Sequence, residues 1–163
     1  MSEPFFSSSP EQTEELGRVL GTLLLPGDVV LLTGELGAGK TQLTKGIARS
    51  LGVERPITSP TFNLIYEYLD ALGERTLLRH FDLYRLEQAQ ELDDIDYFGL
   101  LEDRVVSVVE WGDKFPQALP LDYLLIAFAF EAEDENARQL RFEAVGRRSQ
   151  ELLLTIREAT DGR

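Results

Sequence analysis

Between Val29 and Gly46 the chain reads VVLLTGELGAGKTQLTKG. Four apolar residues run into a threonine, three glycines follow within six residues, and a Lys-Thr pair opens a stretch of helical character. Gly34, Gly39, Lys40 and Thr41 satisfy G-x-x-x-x-G-K-[ST] in the context that pattern requires, a strand before it and a helix after it. The expectation is a phosphate-binding loop. Its backbone N–H groups, at positions 37 to 41, turn inward around a β-phosphate, and the helix N-terminus adds the positive end of its dipole. Glycines permit that wrapping because it needs positive φ and close approach, which a Cβ obstructs. Gly34, Glu35, Leu36, Gly37, Ala38, Gly39, Lys40, Thr41 and Gln42 are therefore the candidate nucleotide-binding residues. Lys40 is expected to bridge β- and γ-phosphates and the Thr41 hydroxyl to ligate Mg²⁺.

Such a loop also needs a carboxylate at the end of a neighbouring buried strand, to hold Mg²⁺ or to orient water. Two acids qualify: Glu110 ends VVSVVE, and Asp82 ends LLRHFD, where strand alternation sets His80, Asp82 and Tyr84 on one face. Both are candidate catalytic and metal-binding residues beside Lys40 and Thr41. His80, the only histidine, reads as a satisfied packing residue rather than a base. Trp111 follows Glu110 directly and is a candidate nucleotide contact, with a core or partner-facing indole as the alternative. Thr61, in ITSPTF, is a candidate to approach the γ-phosphate, with an ordinary turn before a strand as the alternative.

The remaining elements fit around this unit. SPEQTEELGRVLGTLL starts with Ser9 as N-cap, Pro10 at the first helical position and Gln12 three residues after the cap, and continues with apolar residues at helical spacing. KTQLTKGIARSLG is a helix closed by Gly52. FNLIYEYL and TLLRHFDLY read as a hairpin, a short acidic helical stretch follows, and RVVSVVEWG is a buried strand. YLLIAFAFEA pairs with ARQLRFEAVG, in which Leu140, Phe142 and Ala144 alternate with Arg141 and Glu143, before a last helix near SQELLLTIREA. The order implies an α/β fold like that of P-loop nucleotide hydrolases, with a mixed sheet of parallel core and antiparallel additions and helices on both faces.

Composition narrows the partners. At 163 residues the chain is read as one domain spanning 1–163. No apolar run approaches the roughly 20 residues of a membrane span, and MSEPFFSSSP lacks the basic and apolar regions of a signal peptide. Together with the absence of cysteine, this gives a cytoplasmic expectation. Sixteen Lys+Arg against 29 Asp+Glu, a formal charge of -13, argue against autonomous nucleic-acid binding, which ordinarily uses a basic patch.

Taken in order, GELGAGKT, SPTF, HFDLYR and VVEWGDK resemble the bacterial TsaE (YjeE) family, the small ATPases of tRNA threonylcarbamoyladenosine synthesis. The resemblance spans most of the chain and implies a P-loop fold with a mixed sheet, ATP and Mg²⁺ as cofactors, weak ATPase activity alone, and work in complex with TsaB and TsaD. It also implies that TsaD performs the transfer to the adenosine next to the anticodon. Lys40 and Thr41 match the family's Walker-A pair, Asp82 the acid of its H-x-D-L-Y-R segment, and Glu110 and Trp111 its E-W pair. The acidic segment from Glu87 to Asp103, ordinarily a solvated face, is then a candidate dock for a partner's basic tRNA site. The rival enzyme class is a P-loop small-molecule kinase, which needs a substrate pocket and usually an Arg-bearing lid. Arg147 and Arg148 are the only adjacent arginine pair. A guanine-nucleotide switch is disfavoured, because no [NT]-K-x-D segment occurs.

Overall fold

The computed structural model describes residues 4–35, 37–57, 64–83, 86–110 and 115–161. The elements run β1 (Phe5–Ser7), α1 (Pro10–Leu23), β2 (Val29–Thr33), α2 (Lys40–Ser50), β3 (Ile65–Leu69), β4 (Thr76–Asp82), α3 (Glu91–Asp94), α4 (Tyr97–Glu102), β5 (Val106–Glu110), β6 (Tyr123–Glu131), β7 (Asp134–Val145) and α5 (Arg147–Asp161). The strands form one seven-stranded sheet in the order β1-β7-β6-β2-β5-β4-β3. The pairings β6–β2, β2–β5 and β5–β4 are parallel. β1, β7 and β3 are joined antiparallel at the margins. The expected mixed sheet is thus present, and its parallel part is central, where strands covered on both faces read as unbroken apolar runs such as VVLLT.

Side-chain parity divides the core in two. Val30, Leu32, Leu78, Val108, Leu124 and Ile126 point to the face covered by α1, α2 and α5, where Leu20, Leu43, Ile47, Leu152 and Ile156 meet them. Val29, Leu31, Phe81 and Val109 point to the other face and pack against Leu92, Tyr97 and Leu101 of α3 and α4. Helices therefore cover both faces. Tyr97 is fully buried, its hydroxyl donating 3.0 Å to the Ala118 carbonyl, and burial raises its pKa. Among the described residues no helix is long and apolar enough to cross a membrane.

The start of α1 follows the expected capping: the Ser9 hydroxyl accepts from Gln12 N–H at 3.1 Å, and Gln12 Oε1 accepts from Ser8 N–H at 2.8 Å, one residue ahead of the cap. α1 crosses α2 at two glycines. A Cβ on Gly17 would stand 2.2 Å from the Leu43 carbonyl oxygen, and one on Gly46 would stand 2.0 Å from that of Glu14. Only backbone fits between these helices, so α2 is seated against α1 without side chains intervening. The short strand β1, which no sequence pattern announced, pairs Phe5 with Leu140 and Ser7 with Arg138. At three residues it is too short for alternation to be read, and its partner strand supplies the reason for it.

Candidate functional site

The loop from Gly34 to Gly39 leaves the C-terminal end of β2 and delivers the chain into α2. Gly34, Gly37 and Gly39 all hold positive φ, at 140°, 80° and 107°. Gly34 illustrates the requirement: besides its backbone angle, a Cβ there would stand 2.9 Å from both the carbonyl oxygen and the Cβ of Phe128 on β6. Gly39 is the left-handed N-cap of α2. Leu43 N–H donates to its carbonyl at 3.1 Å, so the amides of Lys40, Thr41 and Gln42 lie ahead of that helical rung. One detail departs from the expected cradle, because Ala38 N–H donates to the Glu35 carbonyl at 3.1 Å instead of lining the anion position. Lys40 Nζ likewise donates to the Gly34 carbonyl at 2.9 Å, which folds the ammonium back across the loop. Both contacts satisfy donors within the loop, where an unpaired donor is costly.

The two candidate acids lie at neighbouring strand ends. Asp82 and Glu110 are register partners at the ends of the adjacent parallel strands β4 and β5, and Glu110 is paired across its other edge with Leu32 of β2. All three share the sheet face that carries α2. Both carboxylates are nearly buried, with 8% and 9% of their surface exposed. His80, two residues before Asp82, is fully buried with Nε2 at 3.4 Å from Glu110 Oε1. Among the described residues neither ring nitrogen has a hydrogen-bond partner, which departs from the reading of a satisfied packing histidine. Strand parity aims the ring at the same face as Asp82, beside the Glu110 carboxylate. Leu36, Thr61, Tyr84 and Trp111 lie outside the described residues.

The Arg147–Arg148 pair is remote from this site. Arg148 donates to both carboxylate oxygens of Asp28 at 3.0 and 2.8 Å and to the Leu23 carbonyl at 3.0 Å, just before β2 begins and at the opposite end of that strand from the loop. The hydrogen bond to Asp28 raises the guanidinium's pKa. Arg147 pairs at 3.4 Å with Glu151 of its own helix. A cavity of about 370 Å³ opens beside the other end of α2, away from the loop, among Glu14, Lys45, Arg49, Glu54 and Arg55. The candidate anion site is built of loop backbone and strand ends.

Sequence reasoning missed one side chain at the loop. Arg138 of β7 reaches the Gly37 carbonyl with Nη2 at 3.4 Å, while its guanidinium lies 4.3 Å over the Phe130 ring. The signal was available: Arg138 has the same parity as Leu140, Phe142 and Ala144 and so points to their face of the sheet.

The acidic segment lies on the far face of the sheet from α2 and is partly structural. Glu91 accepts from the N–H groups of Glu87 and Gln88 at 2.7 and 2.9 Å, and Asp103 accepts from Arg79 at 2.7 Å. Asp93, Asp94, Asp96 and Glu102 are exposed.

Comparison with known proteins agrees with this arrangement. Residues 7–140 match the family model described as threonylcarbamoyl adenosine biosynthesis protein TsaE. The "tRNA threonylcarbamoyladenosine biosynthesis protein TsaE" of Bacillus subtilis is 39% identical over 140 residues, covering 86% of this chain and 84% of its own. The protein of the same description from Streptomyces coelicolor is 48% identical over 111 residues, covering 68% and 74%. A crystal structure of Bacillus subtilis YdiB superposes with a TM-score of 0.72 at 32% identity, over 96% of this chain and 94% of that one. With the family model spanning the loop, both acids and the three strands β2, β4 and β5 that carry them, the chain belongs to the TsaE family of threonylcarbamoyl adenosine biosynthesis proteins.

Proposed function

We propose that this chain binds ATP with Mg²⁺ and hydrolyses it slowly, serving tRNA threonylcarbamoyladenosine biosynthesis in the cytoplasm in complex with TsaB and TsaD. The observation that carries the reading is the juxtaposition of Asp82 and Glu110, registered neighbours at strand ends on the face of α2, with a glycine loop whose helix opens on Lys40 and Thr41.

The donor set fits the group. Gly34 gives the loop a positive-φ exit from β2 that a Cβ, 2.9 Å from Phe128, would block, one ammonium is held at the loop by a carbonyl that phosphate oxygens can replace, and two carboxylates stand nearly buried at the strand ends. When bound, Mg²⁺ neutralises charge on the β- and γ-phosphate oxygens. Lys40 exchanges the Gly34 carbonyl for phosphate oxygens, a stronger charge-assisted contact. Thr41, Asp82 and Glu110 are the side chains that would hold the ion, a hard cation that keeps several waters and takes one or two carboxylates. Glu110, with His80 beside it, is the residue assigned to orient the attacking water. Slow turnover alone and its dependence on TsaB and TsaD rest on the likeness to the family.

Titration calorimetry with Mg·ATP, combined with phosphate release measured with and without the two partner proteins, tests the reading. Saturable binding with low turnover that rises in the complex is expected. Absence of Mg·ATP binding by the folded chain would sink the proposal.

A further inference from the structure

We propose that Arg138, stacked on Phe130, forms the nucleoside side of the nucleotide site, its guanidinium plane carrying the base. The inference rests on the nucleotide reading above and adds the half of the ligand that the loop and the acids leave unassigned.

The argument starts from the two neighbours of β2. On one side stand β5 and β4, ending in Glu110 and Asp82. On the other stand β6 and β7, where Phe130 and Arg138 are register partners. A nucleotide whose metal-bearing phosphate end lies toward the acids runs across the loop in the opposite direction, and its base arrives on the β6–β7 side. Phe128 already borders the loop there, its ring carbons standing 3.6 and 3.7 Å from the place of a Cβ on Gly39.

Arg138 is prepared for a planar ligand. Three carbonyls hold its guanidinium: Glu135 at 2.6 Å and Ala137 at 2.9 Å from Nη1, and Gly37 at 3.4 Å from Nη2. None of these partners is a carboxylate, so they orient the group without cancelling its charge. The Arg138 Cζ lies over the Phe130 ring, 4.3 Å from its centroid, and Arg138 is partly exposed. A fixed guanidinium backed by an aromatic ring is a stacking platform that any base fits through its π-face. The bond to Gly37 ties that platform to the phosphate loop, so base and phosphates are gripped by one connected piece of structure. A lysine at this position would keep the charge and lose the plane.

The test measures dissociation constants of Mg·ATP, Mg·ADP and Mg-tripolyphosphate for the wild-type chain and for Arg138→Ala, Arg138→Lys and Phe130→Ala. Loss of one base stack predicts about tenfold weaker binding of ATP and ADP in all three variants, with tripolyphosphate changed less than about twofold. Tripolyphosphate weakened as much as ATP, or full recovery in Arg138→Lys, would assign Arg138 to the phosphates and overturn the proposal. Unchanged ATP and ADP affinities in every variant overturn it as well, while wild-type binding leaves the nucleotide reading intact. A wild-type chain that binds none of the three ligands removes both.

Discussion

Asp82 and Glu110 stand side by side on parallel strands that end together, each nearly closed off from solvent. Acids at adjoining strand ends favour a cation nearby, since a positive charge stabilises the ionised form of each. Glu110→Gln keeps shape and hydrogen bonding and deletes the charge. Nucleotide binding should persist while turnover falls by roughly 10²-fold or more, the usual scale for losing one group that stabilises a transition state. Asp82→Asn should behave similarly. Calorimetry paired with phosphate release decides this, and a variant matching wild type in both leaves the site.

Lys40→Ala removes the ammonium held at 2.9 Å from the Gly34 carbonyl. A charge-assisted contact with phosphate contributes roughly 1.5–3 kcal/mol, so affinity for triphosphate should drop by at least tenfold and hydrolysis should disappear. The folded state needs this lysine little, and the thermal midpoint should move by no more than a degree or two. Unaltered hydrolysis in the variant would contradict the phosphate-loop assignment.

Partner dependence is testable through charge. At a net -13 the isolated chain should show no measurable tRNA binding at physiological salt, where counterion release offers it no gain. If Asp93 and Asp94, both exposed on α3, belong to the dock, charge reversal at the pair should slow association with TsaB and TsaD, and added salt should weaken it. Surface plasmon resonance across a salt series reads both effects. Salt-insensitive docking would free the acidic face from this role and leave the ATPase reading untouched.

Gly46→Ala places a methyl group 2.0 Å from the Glu14 carbonyl oxygen. Neither backbone can yield cheaply, and overpacking of this kind costs roughly 1–3 kcal/mol or more. A urea midpoint lowered accordingly is expected. Gly37→Ala meets nothing within 4 Å, and its penalty is confined to the positive φ of 80°. Equal stability of the Gly46 variant and wild type would show that the two helices separate easily.

Much of the site could be read from the chain because its signals are local. The glycine spacing, the Lys-Thr pair and the parity of His80 and Asp82 each lie within one element, where strand and helix periods apply directly. What escaped reading depends on residues distant in sequence. Arg138 meets Gly37 across 101 positions, and its strand parity gives the face it points to but not this partner. The placing of the His80 ring 3.4 Å from Glu110 depends on its neighbour on β5 as well as on its own strand. β1 exists because β7 has an edge to cover, and the Asp122 carboxylate caps α5 from 26 residues upstream by accepting from Arg148 N–H at 2.9 Å.

The glycine crossing of α1 and α2 bears on how the molecule opens. Helices in backbone contact release their amide hydrogens to solvent together, since neither can unwind without stripping the other. The N-terminal end of α1 is joined in turn to β1 by the Ser7 and Thr13 hydroxyls, 2.7 Å apart and buried. A ligand that steadies the first turn of α2 therefore slows hydrogen exchange not only there but along α1 and out to Phe5–Ser7 at the margin of the sheet. Protection spreading to that remote strand, measured by mass spectrometry with and without nucleotide, would mark the far boundary of the cooperative unit.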